Sequence, residues 1–296
     1  MNRGRFKDHI FLAAGRLITL TIGLLVFAIV GGLLAKSLPL VKSHSLGTLL
    51  VSSSWRPSKG EFGFLPYILG TIWVTGFAMV IVVPIGLLAA VYLSEYAVAR
   101  VKKVITSAID IIAGVPSVVF GACGIVVVVP FIRDVLAPAL GLVSTGYSVL
   151  AGSIVLSVMV LPIMINGSYE ILRTVPQDLR EASLSLGTTR WEAIKFVVLR
   201  KAAPGIMTAI VLAFARALGE TMAVLMVVGN VALIPHGLLQ PASPLPALIA
   251  NNYGEMLSIP LYDSALMFAA LVLLGAVVVF DVIGGIAMHR VKRSMD

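Results

Sequence analysis

Residues 65–94 read LPYILGTIWVTGFAMVIVVPIGLLAAVYLS, an unbroken stretch without one charged side chain. A helix needs roughly 20 mostly apolar residues to cross ~30 Å of hydrocarbon, so this stretch alone predicts a membrane span. Its apolar residues run continuously rather than alternating over segments of about ten, which argues against a barrel strand. The rest of the chain repeats the pattern. Apolar runs also cover Leu17–Ala35, Val104–Ile132, Ser148–Leu172, Pro204–Gly229 and Ser264–Met288. The expectation is an all-α polytopic membrane protein with six transmembrane helices.

Composition points the same way. Of 296 residues, 59% are hydrophobic and 12% charged, with mean hydropathy +1.03; a soluble domain is typically about 25% charged. This excludes an ordinary cytosolic enzyme, a disordered tail and a nucleic-acid binder. The lone cysteine, Cys123, sits in an apolar run and can build neither an intrachain disulfide nor a zinc cluster. The first apolar run is longer than the core of a cleaved signal, and Leu33-Leu34-Ala35 is too bulky for a small-x-small cleavage site, so it reads as a retained span.

Positive charge orients the spans. Arg3, Arg5 and Lys7 precede the first; Arg100, Lys102 and Lys103 follow the second. Arg173, Arg180, Arg190, Lys195, Arg200 and Lys201 follow the fourth, and Arg290, Lys292 and Arg293 follow the sixth. The opposite side holds only Lys36, Lys42, Arg56, Lys59 and Arg133. Both termini are therefore expected to be cytoplasmic, and the net charge of +8 is assigned to orientation and lipid contact. Outer loops 36–63 and 230–263 read as ordered surface loops, either plain connections or contacts for an external partner.

Residues 173–203 carry a different pattern. Thr174-Val-Pro-Gln177 fits a capping box, and Val175, Leu179, Ala182 and Leu186 then recur at helical spacing. Gly187 stands where a left-handed residue would end that helix, and Thr189-Arg-Trp-Glu192 opens a second one with Trp191, Ile194 and Val198 on one side. Two readings stay open: a hairpin resting on the lipid surface, or a lever that docks a cytoplasmic protein and carries its motion into the spans.

Ionisable groups inside a span cost roughly 2.5–3.5 kcal/mol each on insertion scales and face protein or water. Arg216 and Glu220 are separated by four residues, on one face of a continuous fifth span, with Arg216 ~18 Å beyond Pro204 and near the midplane. They form either a buried ion pair that fixes packing or a site where Arg216 attracts an anion that Glu220 holds or gates. A guanidinium suits an oxyanion because its planar fork donates paired hydrogen bonds. In span 3, Pro116 predicts a kink, and Ser117 either re-satisfies the freed backbone or lines the pathway. Asp110 and Asp281, about two turns from the cytoplasmic ends of spans 3 and 6, read as interhelical pairs or as groups near the water interface. Glu170 and Asn166 lie close to the inner end of span 4.

Glu181-Ala182-Ser183, three residues, Gly187, nine residues, then Val197-x-Leu199 resembles the EAA loop of ABC-importer permeases, E-A-A-x3-G-x9-I-x-L-P. It departs at Ser183, Val197 and Arg200. The resemblance implies that the loop binds an ATPase subunit, with Glu181, Ala182 and Gly187 as contact or turn residues. No G-x4-G-K-[ST] occurs in the chain, so ATP hydrolysis would belong to another subunit and the chain is expected to be no enzyme. Ala217-Leu-Gly-Glu220-Thr-Met-Ala-Val224 with Gly229-Asn230, and Pro116-Ser117-Val-Val-Phe-Gly121, are similar to the PstC-type permease family of high-affinity phosphate importers. The likeness spans about residues 60–290 and is weaker toward the sister PstA type.

That likeness implies an ABC type I importer fold over residues 1–296. Residues 1–63 would hold the first span and its loop, 64–290 the core spans, and 174–200 the coupling helices. It implies a multi-pass subunit of the inner membrane that pairs with a PstA-type permease, two ATPase subunits and an external phosphate-binding protein, without cofactor, metal or nucleic acid. Arg216 and Glu220 map onto the arginine and glutamate implicated in phosphate transport. A permease for another oxyanion such as sulfate or molybdate, and a channel or secondary transporter, remain the other readings.

Overall fold

The computed structural model describes residues 3–255 and 258–293, with the side chains of residues 3–10 and 291–292 outside that description. Arg3, Arg5, Lys7 and Lys292, used above for orientation, fall among those side chains. Helix α1 runs Arg3–Ser43, past the expected end at Ala35 and through Pro39. A short α2 (Leu46–Val51) and a two-residue hairpin, β1 (Trp55–Arg56) against β2 (Glu61–Phe62), lead to α3, Leu65–Tyr96. Trp55 meets Phe62, Phe64 and Tyr67 edge-on at 5.6, 5.4 and 5.0 Å between centroids. With Leu40, Leu49, Tyr262 and Phe268 these rings form a packed cap, so the loop expected at 36–63 is anchored by Leu40, Leu49 and Phe62 while most of its other residues stay exposed.

The third span differs from its expectation. Residues 99–114 form a separate helix, α4 (Ala99–Gly114), and the span proper is α5, Ser117–Ala139. Val115 and Pro116 between them are extended, at ψ 131° and 142°. Pro116 lacks the N–H for a helical bond and drives the residue before it out of the helical region. What the sequence suggests as a kink is thus a full break. Helix α6 (Val149–Arg173) follows, and Ser148 caps it by accepting from the Ala151 N–H at 3.2 Å.

Helix α7 spans Gln177–Ser185 and α8 spans Arg190–Leu218, so the second helix of the expected hairpin is the first turns of the span itself. The fifth span also ends early. Helix α8 stops at Leu218, and a one-turn α9 (Met222–Leu225) replaces the continuous helix expected to Gly229. Helices α10 (Leu245–Asn252) and α11 (Tyr262–Arg293) complete the chain. Among the described residues six helices are long and apolar enough to span a membrane.

Helix α6 is the hub. Ser153 and Ser157 on it donate to the Val74 and Ala78 carbonyls of α3, at 3.1 and 3.3 Å, fixing a parallel register. Gly205 lies against Ile171 and Ala209 against Gly167, so α8 runs antiparallel to α6 in one register. Gly124 of α5 lies against Val155, and Asn166 donates to Asp110 of α4 at 3.4 Å. Carried along α6, these registers bring Pro84, Pro116, Pro162 and the end of α8 within ~8 Å of one height, counting ~1.5 Å per residue. Three prolines and a helix end share one layer across the middle of the bundle.

Residues 219–244 are mostly irregular yet packed. The carbonyls of Val227, Gln240 and Leu238 accept from the N–H groups of Ser148, Val149 and Leu150, which a helix start leaves without partners. Thr71 Oγ1 accepts from Leu245 N–H at 2.9 Å. Irregular backbone is tolerated at this depth because neighbouring helices satisfy it.

Candidate functional site

The register between α6 and α8 puts Arg216 opposite Val160, halfway along α6. It stands in the last turn of α8, where unpaired carbonyls favour a cation. Arg216 Nη1 donates to Glu220 Oε2 at 2.8 Å. The second carboxylate oxygen accepts from Ala223 N–H at 3.3 Å, so Glu220 also ties down the start of α9. The pair is not two residues on one helix face, because the helix has ended between them. The geometry is lopsided: the Glu220 side chain is 5% exposed and that of Arg216 46%. Glu220 is held by the protein, whereas Arg216 faces out of this chain.

Helix α5 supplies the neighbouring wall. Gly121 lies against Ala223 and Met226, and Gly124 against Val227. The same register carried one turn back places half-buried Ser117 at the height of Glu220, directly above the break at Pro116. Asp281 is level with Phe214, since Phe280 packs on Phe214 at 4.2 Å and Gly284 on Val211. It is exposed and makes no ion pair among the described residues. The expected interhelical ion pair is therefore not found for Asp281 among the described residues, and α11 continues past it to Arg293. Asp110, by contrast, meets Asn166 across helices, and Glu170 meets Arg173 at 3.4 Å.

At the end of the bundle that carries α7, the hairpin is preformed. Thr174 does not cap α7: its hydroxyl donates to the Ile171 carbonyl at 2.7 Å and closes α6, while Pro176 leads into α7 without a side-chain cap. The second capping box is present as read, with Thr189 and Glu192 bonding each other's backbone N–H. Gly187 adopts φ +83°, the left-handed region where a side chain would strain. Ser183, a departure from the EAA pattern, is buried and shares a 2.9 Å hydrogen bond with Thr188 across the turn. Glu181 and Ala182 are exposed beside Leu179 and Leu186, the last 84% exposed, so the apolar side of α7 lacks a partner within this chain.

Sequence reasoning missed the node beside this hairpin. Glu95, at the end of α3, accepts a fork from Arg180 at 2.9 and 3.2 Å. Arg180 also donates to the Leu172 and Val175 carbonyls, and Arg190 donates to the Glu95 carbonyl and lies 4.8 Å over the Tyr96 ring. A cleft of about 550 Å³ opens between these residues. The Glu95–Tyr96 turn after an apolar span was the available signal, but nothing local linked it to Arg180.

A hub of spans, a mid-height break bearing an ion pair and a preformed hairpin with an open apolar side define a polytopic permease of the ABC importer class. The chain belongs to the family described as binding-protein-dependent transport system inner membrane component, whose profile matches residues 82–293. It is therefore a multi-pass protein of the inner membrane. It is 39% identical over 237 residues to the probable ABC transporter permease protein YqgH of Bacillus subtilis, covering 79% of this chain and 75% of that one. It is 32% identical over 287 residues to the phosphate transport system permease protein PstC of Mesorhizobium japonicum, covering 92% and 87%. Among solved structures, a bacterial alginate ABC transporter shares the fold at TM-score 0.64 and 16% identity, over 98% of each chain.

Proposed function

We propose that this chain is a membrane subunit of an ATP-driven importer for inorganic phosphate, both termini cytoplasmic, working over its whole length as one permease unit. It supplies half of the pathway, opposite a homologous PstA-type permease. Of the two ATPase subunits one docks on α7 and the start of α8, through Glu181, Ala182 and the turn at Gly187, and an external phosphate-binding protein delivers the cargo. Support for phosphate comes from the PstC-named relative and from the chemistry of the mid-height pair.

The observation that carries the reading is the asymmetry of Arg216 and Glu220. A guanidinium has five N–H donors in a planar fork, and Glu220 occupies one of them. The remaining donors are left for an incoming phosphate oxygen at mid-height, to which they can give charge-assisted hydrogen bonds. Glu220 competes for the same cation, which keeps the anion weakly held and able to leave. Ser117 lends a hydroxyl at the same height. Closure of the ATPase dimer would push α7, and the layer holding the breaks at Pro116 and Leu218 and the in-helix prolines Pro84 and Pro162 lets the half nearer the hairpin move against the other.

The test is uptake by proteoliposomes holding both permeases, the ATPase and the binding protein. Phosphate uptake driven by ATP, and not suppressed by excess sulfate or molybdate, is expected. Suppression by either competitor would move the assignment to another oxyanion.

A further inference from the structure

Helix α7 buries one residue, Ser183. Leu179 and Ala182 on it, and Leu186 just past its end, are exposed, so apolar packing holds it only weakly. Arg180 supplies the missing attachment. Its guanidinium joins three elements at once: the Glu95 carboxylate at the end of α3, the Leu172 carbonyl in the last turn of α6, and the Val175 carbonyl in the lead-in to α7. Both partners are shielded from water, with side chains 15% and 8% exposed. The bonding is a two-pronged fork, so it resists rotation as well as separation. Arg190 fixes the Glu95 backbone from the opposite side, at the first residue of α8.

We infer that Arg180 is a positioning residue for transport: through Glu95 it makes α7 move as one body with the adjoining ends of α3 and α6. The inference rests on the reading that α7 docks an ATPase. A force applied to the exposed side of α7 reaches α3 and α6 through this node, whereas α8 is reached through the turn at Gly187. Without the fork, α7 would still dock but would swing under load, and ATP would be hydrolysed without moving cargo.

The readout is phosphate imported per ATP hydrolysed, in proteoliposomes of the complete complex, with co-purification of the ATPase measured in parallel. Arg180→Gln and Glu95→Gln should each retain the ATPase and its hydrolysis while imported phosphate per ATP falls about tenfold, the scale of a coupling free energy between two sites. Arg180→Lys, which keeps the charge but loses the fork, should fall between these variants and the parent. An unchanged ratio in either glutamine variant would overturn the inference. So would loss of the ATPase from both, which would make Arg180 a brace for folding. If the parent chain itself retains no ATPase, the docking reading fails instead, and that result separates the two.

Discussion

At Arg216 one N–H points to Glu220 and the rest of the fork faces out of the chain. Replacing the guanidinium by a neutral amide removes charge-assisted hydrogen bonds worth about 1.5–3 kcal/mol, or roughly 10- to 150-fold in binding. Arg216→Gln should therefore lose at least that much phosphate uptake while the chain still assembles with its partners, as judged by co-purification. Uptake at the parental rate would leave Arg216 a packing residue. Asp281 is the contrasting case: it is level with the same layer, exposed, and outside every ion pair among the described residues. Asp281→Asn should alter uptake less than about twofold, because removing an unpaired exposed charge strands no buried partner. A transport-dead Asp281→Asn would show that α11 takes part in the pathway.

The hairpin shows at the element scale how a local rule sets a global contact. Gly187 turns at φ +83°, a conformation that proline, fixed near φ −65°, cannot adopt. Gly187→Pro should leave the spans inserted and abolish co-purification of the ATPase; retained ATPase would count against the hairpin as the docking element. Gly187 and the Thr189–Glu192 box were legible in the sequence because their causes lie within four residues. The six spans were legible for the same reason, since apolarity over ~20 positions is a local property. The ends of two spans were not. An apolar run reports depth in lipid but not whether its backbone stays helical, so the break at Val115–Pro116 read as a kink and the end of α8 at Leu218 went unseen. Thr174 misled because a capping pattern was present while the neighbouring carbonyls of α6 offered its hydroxyl a nearer partner. Arg180 was counted only among the positive charges that orient the spans; its partner lies 85 positions earlier, beyond the reach of any periodicity.

For the whole molecule, the registers along α6 join the mid-height pair and the hairpin into one path. From the node at Glu95 the half of α3 nearest the hairpin leads to Pro84, while α6 leads to Pro162 and the height of Arg216. Uptake should therefore require ATP and the ATPase, with none from an ion gradient alone. Glu181→Lys, at the exposed edge of α7, should lower uptake and ATPase retention together; gradient-driven uptake in the absence of ATPase would place the chain among secondary transporters. Helix α1, apart from its packing on α11 and its end in the aromatic cap, leaves its apolar length open to lipid or to a neighbouring chain.

Cys123 is the only cysteine in the chain and is exposed on α5, less than two turns beyond the break at Pro116. A thiol reacts through its thiolate, which needs water around it. A membrane-impermeant maleimide therefore reports when solvent reaches this level, and comparing its labelling rate with and without nucleotide would time the wetting of the bundle's middle in the unaltered sequence.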